Sequence, residues 1–183
     1  MITRMRDIMV DIETLGTDSN SVVVSISALV FNLATGELGK EFEIGIDMLE
    51  QALHGGIIDN NTVQWWSNQS NKAKEQLVRL DRVSVSEALE LFNMWIEDNI
   101  ATLKDAKLWG NGSGFDNVLI RNLYRRHNVD FVLPYWCDND VRTLVTLSNI
   151  DTRVYKFEGT KHNGIDDCKH QIKYCADAYK ALT

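Results

Sequence analysis

The sequence predicts one α/β domain over residues 1–183, a mixed sheet flanked by helices, with a three-stranded antiparallel meander plus parallel strands. Three observations carry this reading. Three strand-like runs open the chain and are joined by short turns. Segments with helical spacing follow, interleaved with short extended ones. The length, 183 residues, suits one domain with a substantial core.

The elements follow in order. Asp7 to Ile12 is apolar through Ile8, Met9, Val10 and Ile12, and reads as a strand. Gly16 to Ser21, rich in Gly, Asp, Asn and Ser, is a turn. Val22 to Asn32, heavy in Val and Ile, is the second strand. Ala34-Thr35-Gly36-Glu37 turns it into a third, Leu38 to Ile46. Asp59-Asn60-Asn61-Thr62 offers N-cap residues for a helix through Val63, Trp65 and Trp66. That helix breaks at Asn68 to Asn71 and resumes over Lys72 to Leu80. Ser84 or Ser86 caps the next, where Ala88, Leu89, Leu91, Phe92, Trp95 and Ile96 recur at helical spacing. Lys107 to Trp109 is a short strand ending at Gly110-Asn111-Gly112-Ser113-Gly114. Phe115 to His127 is a helix with Val118, Leu119, Leu123 and Tyr124 on one face. Phe131 to Cys137, holding the sole proline, Pro134, reads as extended. Asp140 to Ser148 is a helix and Gly159 to Gly164 a loop. Asp166 to Leu182 is the final helix, with Ile172, Cys175, Ala176 and Tyr179 inward.

Composition narrows the class. A hydrophobic fraction of 44% and a charged fraction of 25% are ordinary for a soluble globular protein. No stretch is apolar for long enough to span a membrane, and the two arginines of Met1 to Asp7 precede no signal-peptide core. The three cysteines, Cys137, Cys168 and Cys175, match no zinc spacing. A reduced, cytoplasmic setting is expected, with Cys168 and Cys175 as half-buried packing residues. Nineteen basic against 26 acidic residues give a net charge of −7. That argues against a nucleic-acid coat protein, but not against an enzyme that holds nucleic acid through cations.

Three segments carry candidate chemistry. In the first strand Asp11 and Glu13 are two apart, so both carboxylates face the same way. Two like charges in a core-like strand invite a divalent cation with oxygen ligands; the plainer reading is a polar edge facing water. Asp116 opens the helix after the glycine-rich loop. There it caps the helix and answers its dipole, or joins a cation site. The glycines lack the Lys-Ser/Thr of a phosphate-cradling P-loop. His162 lies on a Gly-flanked loop five residues before Asp167. It is a surface residue or a general base. Four carboxylates and one histidine are the parts for two-metal phosphodiester hydrolysis.

In order and spacing, Asp-Ile-Glu-Thr, the Phe-Asp helix start and His-x-Gly-x-x-Asp resemble the three motifs of the DEDDh (DnaQ-like) 3′-5′ exonucleases, from Asp7 to about Leu182. The resemblance implies a ribonuclease H-like fold and two divalent ions, Mg²⁺ or Mn²⁺. It implies Asp11, Glu13, Asp116 and Asp167 as metal ligands and His162 as general base. The backbone at Thr14 and the side chain of Leu15 would meet the terminal nucleotide, with Asn111, Phe115 and Trp66 as further nucleic-acid contacts. Thr62 to Ser70, holding Trp65 and Trp66, and Asp140-Val141-Arg142-Thr143-Leu144 resemble a phage and prophage branch. That branch includes T4-type exodeoxyribonuclease A and the mycobacterial 3′-5′ exoribonucleases. One tryptophan is expected in the core and the other under a base. Arg142 either positions a phosphate or pairs with Asp138 or Asp140.

The chain departs from the family in places. Gly164 stands where the family usually has Ala, which predicts a looser histidine loop. Asp166 and Asp167 are adjacent, and the spacing from His162 favours Asp167. Asn163 stands where the tyrosine variant of the family has Tyr. Elsewhere, His54, His127 and His170 share no metal-ligand spacing and read as surface or helix-end residues. Arg121, Arg125 and Arg126 read as a solvated face, with a nucleic-acid or dimer contact as the alternative.

The expected activity is release of nucleoside monophosphates from single-stranded 3′ ends, with DNA slightly favoured and RNA the alternative. A catalytically silent nucleic-acid-binding module is the rival class, and the intact set of acids and histidine argues against it. Family members are often homodimers, and an acidic domain with a helical flank permits the same here.

Overall fold

The computed structural model describes residues 5–78 and 80–183. Residue 79, inside the expected helix over Lys72 to Leu80, lies outside them, as do residues 1–4 of the N-terminal segment.

Strands β1 (Asp7–Thr14), β2 (Val23–Phe31) and β3 (Leu38–Ile46) form the expected antiparallel meander. The remaining strands are β4 (Arg82–Val83), β5 (Lys107–Gly110) and β6 (Asp138–Asp140). They pair in parallel with β3, β1 and β5 respectively, giving the order β4-β3-β2-β1-β5-β6. β1 therefore lies inside the sheet, with a partner on both edges.

The helices are α1 (Met48–Leu53), α2 (Asn60–Ser67), α3 (Asn71–Val78), α4 (Val85–Asn99), α5 (Asp116–Arg126), α6 (Val141–Ser148) and α7 (Gly164–Leu182). Asp59, Ser84 and Asp140 cap α2, α4 and α6 through side-chain oxygens, as their residue types dictate. Helix α1 was not foreseen, because six residues are too few to show a period.

The two faces of β1 separate the core into two parts, because alternate residues point to opposite sides. Ile8, Val10 and Ile12 pack with Leu89, Phe92 and Ile96 of α4 and Leu119 and Leu123 of α5. Met9 faces the other way, toward Val141 of α6 and Cys168, Ile172 and Cys175 of α7. Asp11 and Glu13 continue the Met9 face, so the acids project toward the helix that carries Asp167.

Several expectations are corrected. The segment Phe131 to Cys137 is not extended. It is a loop with a 3₁₀ turn at Tyr135–Cys137, and the strand is the next three residues. Asp-Asn-Asp has no apolar alternation to mark it, and pairing with β5 makes it a strand. Leu91 and Val118 face solvent, being flank positions of otherwise buried stripes. Cys168 and Cys175 are wholly buried rather than half-buried. Arg121 is no solvated residue. Its guanidinium donates twice to Asp138, at 2.6 and 2.8 Å, and to the carbonyls of Leu133 and Pro134, pinning the loop before β6 to α5. No described helix is long and apolar enough to cross a membrane.

Candidate active site

At the C-terminal end of β1 the carboxylates of Asp11, Glu13 and Asp167 come together, with one oxygen from each within 4.8 Å of the others. Asp11 and Glu13 arrive by strand alternation, and Asp167 comes from the first turn of α7. Asp166, its neighbour, turns away and accepts from the Thr160 backbone N–H at 2.8 Å. The structure thus separates the two adjacent acids, one toward the cluster and one into the loop.

Asp116 approaches from the β5 side. β5 pairs with β1 no further than Val10↔Gly110. The backbone N–H groups of Ile12, beyond that point, and of Asn111 face the Asp116 carboxylate and favour its charged form. The local capping role and a place beside the other acids are therefore compatible. Asp116 is only 5% exposed.

Burial and crowding shape the electrostatics. Desolvation first, then Asp116 and Asp167, pushes Asp11 well above the usual carboxylate range. Glu13 is raised by desolvation and by Asp11, Asp167 and Asp116. Desolvation raises Asp116 and lifts Asp167 to about 6. Acids held this way are short of positive charge. The Asp167 Oδ2 is buried and has no hydrogen-bond partner. An oxygen-only donor set with an orphaned carboxylate oxygen fits a hard divalent cation.

His162 sits just before α7 in the left-handed conformation, φ +64°, and its backbone N–H faces the Asp167 carboxylate and favours its charged form. The imidazole packs edge-on against the rings of Trp65 and Trp66, with centroids 5.1 and 5.5 Å away. Desolvation, with Lys161 beside it, lowers its pKa and favours the neutral ring.

A cavity of about 610 Å³ opens beside the acids. Glu13, Thr14, Phe115, Trp65 and Trp66 line it, together with Gly16, Asp59 and Asn61. Leu15 and Asn111 do not line it. Leu15 is half-buried and spends its backbone on Val22 and Asp59. The two tryptophans differ. Trp66 is 4% exposed and donates its indole N–H to the Thr14 carbonyl at 3.0 Å. It ties α2 to the end of β1 and has no open face for a base. Trp65, 45% exposed, is the ring that does.

Two features of the site were missed. Gln171, one turn beyond Asp167 on α7, is 5% exposed and donates Nε2 to the Asp11 Oδ1 at 2.8 Å. The i, i+4 spacing to Asp167 was the available signal. Gly164 does not loosen the histidine loop. It is buried in the first turn of α7, and a Cβ there would fall on the side chain of Ser27 in β2. Its bareness lets the helix approach the sheet.

The Rv2179c-like family, described as a 3′-5′ exoribonuclease domain, matches residues 6–179. The chain belongs to this family. The Rv2179c-like chain is 26% identical, over 163 residues, to an exodeoxyribonuclease of Enterobacteria phage T4, covering 77% of this chain and 71% of that one. Its fold is that of the nuclease domain of 3′hExo, a DEDDh family member bound to rAMP. There the TM-score is 0.64 at 12% identity, covering 97% and 94% of the two chains. It also overlays E. coli exonuclease I in complex with a dT13 oligonucleotide, with TM-score 0.61 and 11% identity. That match covers 93% of this chain and 40% of the other. The Rv2179c-like chain is a 3′-5′ exonuclease.

Proposed function

We propose that this exonuclease removes nucleoside 5′-monophosphates from single-stranded 3′ ends with two divalent ions, Mg²⁺ or Mn²⁺. The observation that carries this is the convergence of Asp11, Glu13 and Asp167 within 4.8 Å, with an orphaned oxygen on Asp167. Asp11, Glu13, Asp116 and Asp167 would hold the ions. When bound, such ions polarise the phosphoryl group and lower the pKa of a water.

The chain's own residues do the rest. Neutral His162 takes the proton from the attacking water at an imidazole nitrogen. Its imidazole lies across the tryptophan pair from the cavity beside the acids, lining the neighbouring groove with Thr160 and Lys161, with its backbone facing Asp167. The cavity beside Glu13 and Thr14 receives the terminal nucleotide, with the open ring of Trp65 under its base. His162→Ala should cut kcat about a hundredfold or more while leaving KM nearly unchanged; a change in KM alone would contradict the base role.

Single-stranded DNA is the favoured substrate, supported by the phage T4 exodeoxyribonuclease likeness. RNA 3′ ends are the second reading, favoured by the family's description. Matched labelled DNA and RNA oligonucleotides, single- and double-stranded, digested with Mg²⁺ or Mn²⁺, decide between them. Faster shortening of RNA would reverse the order. A reduced, cytoplasmic setting and a homodimer belong to the same proposal.

A further inference from the structure

Arg142 makes no hydrogen bond or ion pair through its guanidinium among the described residues, although its charge is near enough to Asp116 to favour that acid's ionised form. Arg142 is exposed, in the first turn of α6, where the helix dipole favours negative rather than positive charge. The acids nearest to it in sequence are committed elsewhere. Asp138 is held by Arg121. Asp140 caps α6 through Thr143 N–H and accepts from Ser113 N–H, both at 2.6 Å. Among the described residues the Arg142 guanidinium has no hydrogen-bond or ion-pair partner.

Its place is nonetheless defined. The guanidinium lies over Gly112, with its carbon and nitrogens 3.3–3.5 Å from where a Cβ would stand. Gly112 has φ +118°, a conformation that suits glycine. The Ser113–Asp140 bond pins this loop to the start of α6. Arg142 and the Asn111–Gly114 loop therefore form a fixed ledge on the β5–β6 side of Asp116. The cavity for the terminal nucleotide lies on the other side, between β1 and α2.

We propose that Arg142 binds a phosphate of the nucleic-acid strand on the 5′ side of the scissile bond. A planar guanidinium with free donors matches the oxygens of a phosphodiester. A chain of net charge −7 needs such a cation where a polyanion lies against it. The proposal rests on the terminal nucleotide lying in the cavity, so the strand must leave past the acids.

The test is cleavage of the terminal linkage, kept native, in oligonucleotides with a neutral methylphosphonate at the second, third or fourth linkage. Arg142→Ala should lower kcat/KM on the native strand roughly tenfold to a hundredfold, and Arg142→Lys should recover part of the loss. One methylphosphonate position should slow the wild-type enzyme by a similar factor and leave Arg142→Ala no slower. Thermal melting should be nearly unchanged, since the side chain is exposed. Undiminished activity of Arg142→Ala, or a defect that multiplies with every methylphosphonate, would overturn the proposal. Coupling seen instead with Lys161→Ala would route the strand along the groove beside His162 and also overturn it. Failure of the wild-type enzyme to shorten native strands from the 3′ end would instead sink the exonuclease reading itself.

Discussion

The two faces of β1 differ in burial and in build: one is closed along its length, the other becomes half-buried at its two acids. Ile8, Val10 and Ile12 pack into the apolar cluster shared with α4 and α5. Met9, Asp11 and Glu13 begin in the same manner under α7, then present two acids to a third. The first face contributes to stability without a ligand. The second holds its carboxylates against their solvation and is completed by positive charge. One strand thus divides holding the fold from doing chemistry, and the two can be perturbed separately.

Asp11→Asn should break the second face alone. Activity should fall at least about a thousandfold, as expected for losing several kcal/mol of charge stabilisation, while the metal-free protein melts no lower, because one buried charge is gone. Retained turnover in Mg²⁺ would disprove the ligand role. Gln171→Ala should weaken Mn²⁺ affinity about 10- to 100-fold, the usual effect of removing a partner that orients a metal ligand. Calorimetric titration reads it, and saturating metal should recover most of kcat. Leu89→Ala perturbs the first face. It should destabilise by about 2–5 kcal/mol, read by urea unfolding, with kcat per folded molecule unchanged.

The smallest effect is on pH dependence. Asp167 is raised from 3.8 to about 6, and Asp11, Glu13 and Asp116 are raised as well. At these four acids the folded state therefore binds more protons than the unfolded state above pH 4; His127, His162 and His170, whose pKa values burial lowers, oppose this in part near pH 6.5. The acids' contribution to stability is greatest below the unfolded value and is lost as pH rises through about 6, continuing toward neutrality. In EDTA the melting temperature should be higher at pH 5 than at pH 8, and Mn²⁺ should shrink that difference. An equal melting temperature at both pH values would show that the acids are not strained.

The meander, the helix caps and the four acids were legible because each has a local signature: alternation, an N-cap residue, or a motif at fixed spacing. Asp166 and Asp167 were told apart by spacing alone, and the hydrogen bond from Thr160 agrees. The rest depends on tertiary contact. Trp65 and Trp66 are neighbours on one helix, and which is buried depends on the Thr14 carbonyl reached by Trp66. Arg121 looked solvated because Asp138 is 17 residues away in sequence. Gln171 carries no motif, since its role exists only once α7 lies against β1.

The contact between Gly164 and Ser27 makes two distant positions one unit of variation. Alanine at Gly164 needs a glycine opposite it or a helix set further from the sheet. A helix set further out carries Asp167 and Gln171 with it, away from Asp11. The spacing of the acids is thus set in part by a missing methyl group, and a substitution that touches no acid can retune the whole cluster.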